Sequence, residues 1–311
     1  MIYVEMAGRC GNQLFHYACA RAIQEKTKEE LVFNFNKVFV HNPADGHYNC
    51  LNDYNVVPYE IYPKSGTILK RESSPVQKIL IAAKALHIKI HKNKSRQEQA
   101  DNAEFMNKIL NKHGIYWIRE GICNITVKTG REGCSIVSGV CEAPDIFNEI
   151  KGLLQEELTP KIEPKKDVAS ILKQMKQTNS VCLNVRRGDF LNESNVRSFS
   201  VCTRKYYENA IELLRYKLDN PVFYVVSDDI TWCKENIVGP DICYTPLNLP
   251  VYESLRLIYT CKHFIISNST FSWWGQFLSR NPSKIVVSPS RWNNDGYNSL
   301  LIQKDWILLE P

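Results

Sequence analysis

Between residues 181 and 288 the chain alternates short apolar runs with amphipathic segments, and this pattern limits its fold more than any other feature. Residues 181–185, 222–226, 242–245, 264–267 and 285–288 are rich in Val, Ile, Phe and Tyr and read as buried strands. Residues 204–218, 230–237, 252–261 and 271–278 lie between them with helical periodicity. Apolar strands that take turns with helices build a doubly wound parallel sheet, because each crossover helix must cover a face of the sheet.

The opening repeats the pattern. Residues 2–6 form an apolar run, Gly8-Arg-Cys-Gly11 a turn, Leu14, Ala18, Ala22 and Ile23 one helical face, and residues 31–35 a second strand. That is a βαβ unit with parallel strands. A chain of 311 residues is long enough for two cores. Pro160 and Pro164 among charges in residues 155–166 mark a linker. The expected organisation is α/β, with two Rossmann-like domains over 1–160 and 161–311 that face each other. Residues 41–131 give no clear pattern beyond polar turns and a basic insertion.

An apolar content of 44% with 23% charged residues excludes a disordered or fibrous chain. The first residues carry no basic segment or long apolar core, so no signal peptide is expected. Residues 79–90 are interrupted by Lys84 and Lys89 and are too short to span a bilayer. The eleven cysteines are odd in number and form no C-x-x-C pair, so reduced thiols and a cytoplasmic place are expected. On that expectation the sequons at Asn124, Asn192 and Asn268 carry no glycan. Between Lys64 and Arg96 stand nine Lys or Arg against the single acid Glu72. Two readings stand: a solvated face, or a basic surface over residues 78–96 that rests on anionic lipid, since Ile79, Ala83, Leu86 and Ile90 share one helical face.

Ligands of such sheets bind beyond the carboxyl ends of the strands, which directs attention to the loops there. Arg186-Arg187-Gly188-Asp189 follows the strand at 181–185, and a guanidinium there suits a diphosphate; alternatively the arginines bond Asp189 and fix the turn. Ser227-Asp228-Asp229 follows the next strand. Its carboxylates can bind a metal, cap a helix or accept the N–H donors of a guanine. Asn268-Ser269-Thr270 opens a helix whose N-terminus favours an anion, or serves as an ordinary cap. Trp273 and Trp274 read as core. Gly8 to Gln13 is the corresponding turn of the first half. His87 and His91 lack a Glu between them, and His-Ile-Lys-Ile-His reads equally as a strand, so zinc is not expected. The chain has no Asp-x-Asp triplet, Walker motif, G-x-G-x-x-G or G-x-S-x-G.

Four segments together carry a resemblance. Gly8-Arg-Cys-Gly11-Asn12-Gln13-Leu14-Phe15, Asn184-Val-Arg186-Arg187-Gly188-Asp189, Phe223-Tyr-Val-Val-Ser227-Asp228-Asp229 and Ser267-Asn268-Ser269-Thr270-Phe271-Ser272-Trp273-Trp274-Gly275 resemble, in order, the motifs of the α-1,2-fucosyltransferases. The resemblance implies a GT-B-like arrangement of two facing Rossmann-like domains, GDP-β-L-fucose as donor, inversion at the transferred carbon, no metal and no other cofactor. Arg186 would contact the β-phosphate of the leaving GDP, with Asn184, Arg187, Asp189, Ser227, Asp228, Asn268, Ser269, Thr270 and Phe271 around the donor. Asp228 would read guanine. Gly11, Asn12 and Gln13 would lie on the fucose or acceptor side.

The implied acceptor is a galactose-containing surface glycan, lipid-linked or free, met at the inner face of a bacterial inner membrane. The chain departs from the family by Asn184 in place of a usual His, by His16 in place of a usual Gln, and by Gly139-Val-Cys-Glu142 in a region where the family has an aromatic-Gln pattern. Glu5, Glu142 and Asp189 are the candidate bases. Competing readings are a different GDP-sugar transferase, a non-catalytic sugar-binding relative, and a nucleic-acid-binding protein suggested by a pI of about 8.6 and 15 tyrosines.

Overall fold

The computed structural model describes residues 1–63, 66, 72–119, 125–127 and 133–311. The chain divides into two compact units, Met1–Asn52 with Val56–Glu157, and Asp53–Asn55 with Leu158–Pro311. The segment at Asp53–Asn55 joins the second unit through backbone bonds from Asn55 N to Thr159 O and from Lys161 N to Asp53 O.

The first unit is built on a five-stranded parallel sheet: β1 (Ile2–Glu5), β2 (Leu31–Asn34), β3 (Glu60–Ile61), β4 (Ile115–Trp117) and β5 (Ser135–Ser138), in the order β3-β2-β1-β5-β4. Helix α1 (Cys10–Thr27) makes the crossover from β1 to β2. Its residues are buried from Gln13 through Ile23, which is why its sequence shows no clear polar face. Glu157 closes the unit by accepting from Tyr17 Oη at 2.5 Å and pairing with Arg21 Nε at 2.9 Å.

Two helices, α2 (Pro75–His91) and α3 (Arg96–Lys112), fill part of the stretch that the sequence left unread. Each opens with a complete capping box, Ser74 with Gln77 and Ser95 with Glu98, and these were the overlooked signals. His87 and His91 therefore lie on a helix, not a strand. Their rings sit 4.2 Å apart, and no group of three potential metal ligands occurs among the described residues. The cations at 64, 70 and 71 and the sequon at Asn124 fall outside the described residues.

The second unit holds a six-stranded parallel sheet: β6 (Asn179–Val185), β7 (Pro221–Ser227), β8 (Ile242–Tyr244), β9 (His263–Ile265), β10 (Val286–Pro289) and β11 (Ile307–Leu309). Their order is β11-β10-β9-β6-β7-β8, the Rossmann order with β6 first. The sequence reading missed β11, three residues at the sheet edge. Between the strands run α6 (Arg204–Lys217), α7 (Ile230–Asn236), α8 (Val251–Thr260) and α9 (Thr270–Leu278), preceded by α4 (Lys151–Glu157) in the first unit and α5 (Lys166–Gln177) in the second.

Val181, Leu183 and Val185 of β6, Phe223 and Val225 of β7, Ile265 and Val287 form one core with Tyr206, Tyr207, Ala210, Ile211 and Leu214 of α6. Gly275 lets α9 lie against α8, since a Cβ there would stand 2.0 Å from Ile258 Cγ2. Trp273 and Trp274 are core as expected, and the Trp273 indole donates to Leu301 O at 2.9 Å.

Candidate active site

In the second sheet the strand order reverses between β6 and β9, and the crevice beyond the carboxyl ends of these strands is where a Rossmann unit takes its ligand. The loop after β6 delivers Arg186 and Arg187, the loop after β7 delivers Asp228 and Asp229, and β9 leads into the cap of α9.

Arg186 is held on two sides. Its Nη1 lies 2.8 Å from Asp228 Oδ2 and its Nη2 lies 2.5 Å from Asp189 Oδ1, while Nε is buried with no partner. The guanidinium also lies 5.6 Å from the Phe190 ring. Arg187 mirrors it: Nε pairs with Asp229 Oδ2 at 3.0 Å, and the guanidinium lies 4.1 Å over the Trp232 ring. Asp228 further accepts from the Arg187 backbone N–H at 2.9 Å, which locks the two loops together. Glycine leaves room in the turn between the arginines and Asp189, because a Cβ on Gly188 would fall 2.5 Å from Asp228 Oδ2 and displace that side chain.

Both alternatives weighed for these residues are present at once. The arginines do bond the aspartates and fix the turn, yet about a quarter of each guanidinium side chain stays exposed. Three carboxylates around two guanidinium groups hold the arginines without committing their remaining faces to protein. Asp229 is an N-cap: its Oδ1 accepts from Trp232 N at 3.1 Å, and its own N–H donates to Ser227 Oγ at 2.9 Å. Trp232 and Phe190, which flank the arginines, were not singled out from sequence. An aromatic four residues past Arg186 and another three past Asp229 were the available cues.

At the other side of the crevice Ser269 caps α9, its Oγ accepting from Phe271 N at 3.3 Å. Thr270 and Phe271 are partly exposed on the first turn. Two expected donor contacts are placed differently. Asn184 is buried, its Nδ2 donating to Val226 O at 3.0 Å and its Oδ1 accepting from the hydroxyls of Ser272 and Ser267. Asn268 is buried too, donating to Phe199 O at 3.0 Å and Trp292 O at 2.9 Å. Both amides tie strand ends and loops together beneath the loops that carry the arginines and aspartates. An amide suits such a junction because it donates and accepts together.

On the first unit, Gly8 adopts a left-handed φ of 71° ahead of α1. Gln13 is fully buried, donating to Gly8 O at 3.0 Å and Tyr48 O at 2.9 Å and accepting from Cys50 N at 3.2 Å. It fixes the glycine turn, with both its amide N–H donor and its carbonyl oxygen engaged by the protein. Gly11, buried, and Asn12, partly buried, both lie in the first turn of α1. His16 is packed between two carbonyls, Asn12 O at 2.8 Å and Gly139 O at 2.9 Å, and burial pulls its pKa down.

Of the candidate bases, Asp189 is paired with Arg186. Glu5 is buried, with one oxygen 2.5 Å from Lys37 Nζ and the other without a partner. Glu142 is partly buried.

The two α/β units with parallel sheets have the fold of GT-B glycosyltransferases. NodZ α-1,6-fucosyltransferase, in a crystal soaked with GDP-fucose, shares the fold over 95% of this chain and 97% of its own, with a TM-score of 0.52 at 12% identity. The chain matches glycosyl transferase family 11 over residues 1–310 and belongs to that family. Its relatives include an α-1,2-colitosyltransferase of Escherichia coli, 36% identical over 47% of this chain; the match spans about half (52%) of that relative. The O-antigen biosynthesis glycosyltransferase WbnK of Escherichia coli is 25% identical over 99% of this chain and all of its own length. Mouse galactoside 2-alpha-L-fucosyltransferase Sec1 is 32% identical over 32% of this chain and 28% of its own.

Proposed function

We propose that the chain transfers L-fucose from GDP-β-L-fucose to the 2-hydroxyl of a galactoside in a surface glycan, with inversion and without a metal ion. The observation that carries this reading is Arg186. Its two terminal nitrogens are held by Asp189 and Asp228 while about a quarter of the side chain stays exposed, at the reversal point of a Rossmann sheet, on the strand next to the one that leads into the capped N-terminus of α9. As the C1–O bond to the diphosphate breaks, negative charge gathers on the departing phosphate. Fixed guanidinium groups and helix N–H dipoles stabilise that charge without rearranging at the moment of reaction. The acceptor oxygen forms the new bond to C1 on the opposite face and gives up its proton. Fixed cations in the crevice take the part that a divalent ion plays in other nucleotide-sugar enzymes. Asp228 is exposed by about a quarter; its Oδ2 faces Arg186 and its Oδ1 accepts from Arg187 N, so the N–H donors of a guanine would meet only the remaining lone pairs of that carboxylate.

The test is GDP release and product formation from GDP-fucose with a panel of galactosides in EDTA, alongside Arg186→Ala. Acceptor-dependent turnover that survives EDTA is expected, with a loss of about 10²–10³-fold in the variant. Transfer from a colitosyl donor in place of the fucosyl one would move this chain to the activity named for its Escherichia coli relative. Turnover that needs a divalent cation, or that is indifferent to Arg186→Ala, would overturn the proposed mechanism.

A further inference from the structure

We infer that α2 is a membrane-surface helix that seats the first unit on anionic lipid. The two sides of this helix are used differently. One side is anchored: Gln77 Nε2 donates to His113 O at 2.9 Å and Cys134 O at 3.0 Å, Lys84 Nζ donates to Ser138 Oγ at 3.2 Å, and Leu80 and Ile81 pack on Ala103, Leu110, Ile115 and Trp117. The other side presents a row of large apolar side chains to solvent: Val76, Ile79, Leu86 and Ile90 are 50%, 70%, 59% and 65% exposed. At about 100° per residue these four, with Ala83, fall within a stripe about 80° wide. A solvated helix face of this length ordinarily carries polar residues, so the row is the anomaly.

Charge selects the occupant. Helix α2 contains no Asp or Glu, and Lys78 and Lys89 lie together on the exposed flank of the stripe, followed by exposed Lys92 and Lys94 just beyond the helix end. A second copy of this helix laid against the stripe would bring lysine rows together. The neighbouring α3, by contrast, mixes acids into its exposed face at Glu98, Asp101 and Glu104. An apolar stripe bordered by cations alone is complementary to a bilayer surface, with the side chains in the acyl boundary and the ammonium groups at anionic headgroups. At 17 residues the helix is about 26 Å long. No helix among the described residues is long and apolar enough to cross a membrane, so α2 would lie along the surface.

The inference rests on this surface alone and stands apart from the sugar-transfer reading. It is tested by sedimentation of the full chain with sucrose-loaded vesicles of phosphatidylcholine, alone or mixed with phosphatidylglycerol. Two multiple variants accompany it, Ile79→Gln/Leu86→Gln/Ile90→Gln and Lys78→Gln/Lys89→Gln. All five positions are exposed, and unchanged thermal midpoints certify the fold. Binding to the phosphatidylglycerol vesicles is expected, weakened about thirtyfold by the double lysine variant, roughly fivefold for each cation. The triple variant is expected to abolish it. The inference fails if the protein ignores phosphatidylglycerol. It fails if the triple variant still sediments, since the net charge of +6 then suffices. It fails too if sedimentation equilibrium without lipid shows a dimer that the triple variant dissolves, because the stripe then belongs to a second copy.

Discussion

Replacing Gly188 with alanine tests whether the two arginine loops form one fixed scaffold. The added Cβ would stand 2.5 Å from Asp228 Oδ2 and 3.2 Å from its Cγ, whereas ordinary contact begins at 3.4 Å. Asp228 must retreat by roughly 0.9 Å, the gap between the first and last of those distances. The atoms it would carry away hold Arg186 Nη1 at 2.8 Å and Arg187 N at 2.9 Å, and a retreat of that size takes both out of hydrogen-bond range. Overpacking costs about 1–3 kcal/mol. Here the lower end applies, because the side chain that must move is about a quarter exposed and its ion pair is screened. A loss of about 1 kcal/mol lowers Tm by about 2–4 °C in a domain of this size.

The effect on GDP affinity is expected to be larger, about tenfold, because Arg186 loses one of its two clamps. Differential scanning fluorimetry and titration calorimetry with GDP measure the two quantities. The double variant Gly188→Ala/Asp228→Ala makes the reasoning sharper. Without the carboxylate the nearest remaining atom of residue 228 is its Cβ, at 3.9 Å, so the glycine change should then cost little further. If Gly188→Ala alone binds GDP as tightly as the parent and melts at the same temperature, Asp228 is not a fixed clamp and the argument from Arg186 fails.

Two further perturbations examine the scaffold. Gly275→Ala brings a Cβ to 2.0 Å from Ile258 Cγ2, and Ile258 is fully buried, so Tm should fall by about 5 °C or more and recover partly with Ile258→Ala; an unchanged midpoint would refute the α8–α9 contact. Burial lowers the Lys84 amine from its ordinary 10.5 to about 8, so the unfolded chain holds more protons between those values and stability rises with pH across that window. Below pH 8 the buried ammonium costs about 3 kcal/mol. Lys84→Met is therefore expected to raise Tm at neutral pH and to flatten the rise between pH 8 and 10.5, and parallel pH curves for the two proteins would show a solvated amine.

Strands β6 to β10 were legible because each is an apolar run next to a helix with its own periodicity, and burial on both faces in β6, β7, β9 and β10 leaves no alternation to confuse the reading. Strand β11 escaped because, unlike the equally short β8 and β9, no helix precedes it to continue the alternation. Helix α2 showed only as the shared face of Ile79, Ala83, Leu86 and Ile90, and α3 escaped altogether, for a different reason. Their capping boxes are local and were present, but they stand in a stretch whose lysines and turn residues masked the periodicity. The arginines and aspartates of the site were legible as residue types at strand ends. Their pairing was not, since Arg186 and Asp228 are 42 residues apart and meet only because β6 and β7 are neighbours.

The sequence by itself determined the alternation of strands and helices, the loops where chemistry gathers and the motifs that mark the family, because propensity, periodicity and spacing are local properties. Only the tertiary structure decided which polar residues remain available to a ligand. Asn184, Asn268 and Gln13 stand in motifs beside Arg186 and Asn12 and look equally suited to binding. Each is buried where several backbone carbonyls or hydroxyls converge, and an amide there must satisfy those partners or leave them unpaired away from water. Arg186 differs because about a quarter of its side chain stays exposed beside its two carboxylate partners, and that distinction arises from contacts between distant parts of the chain.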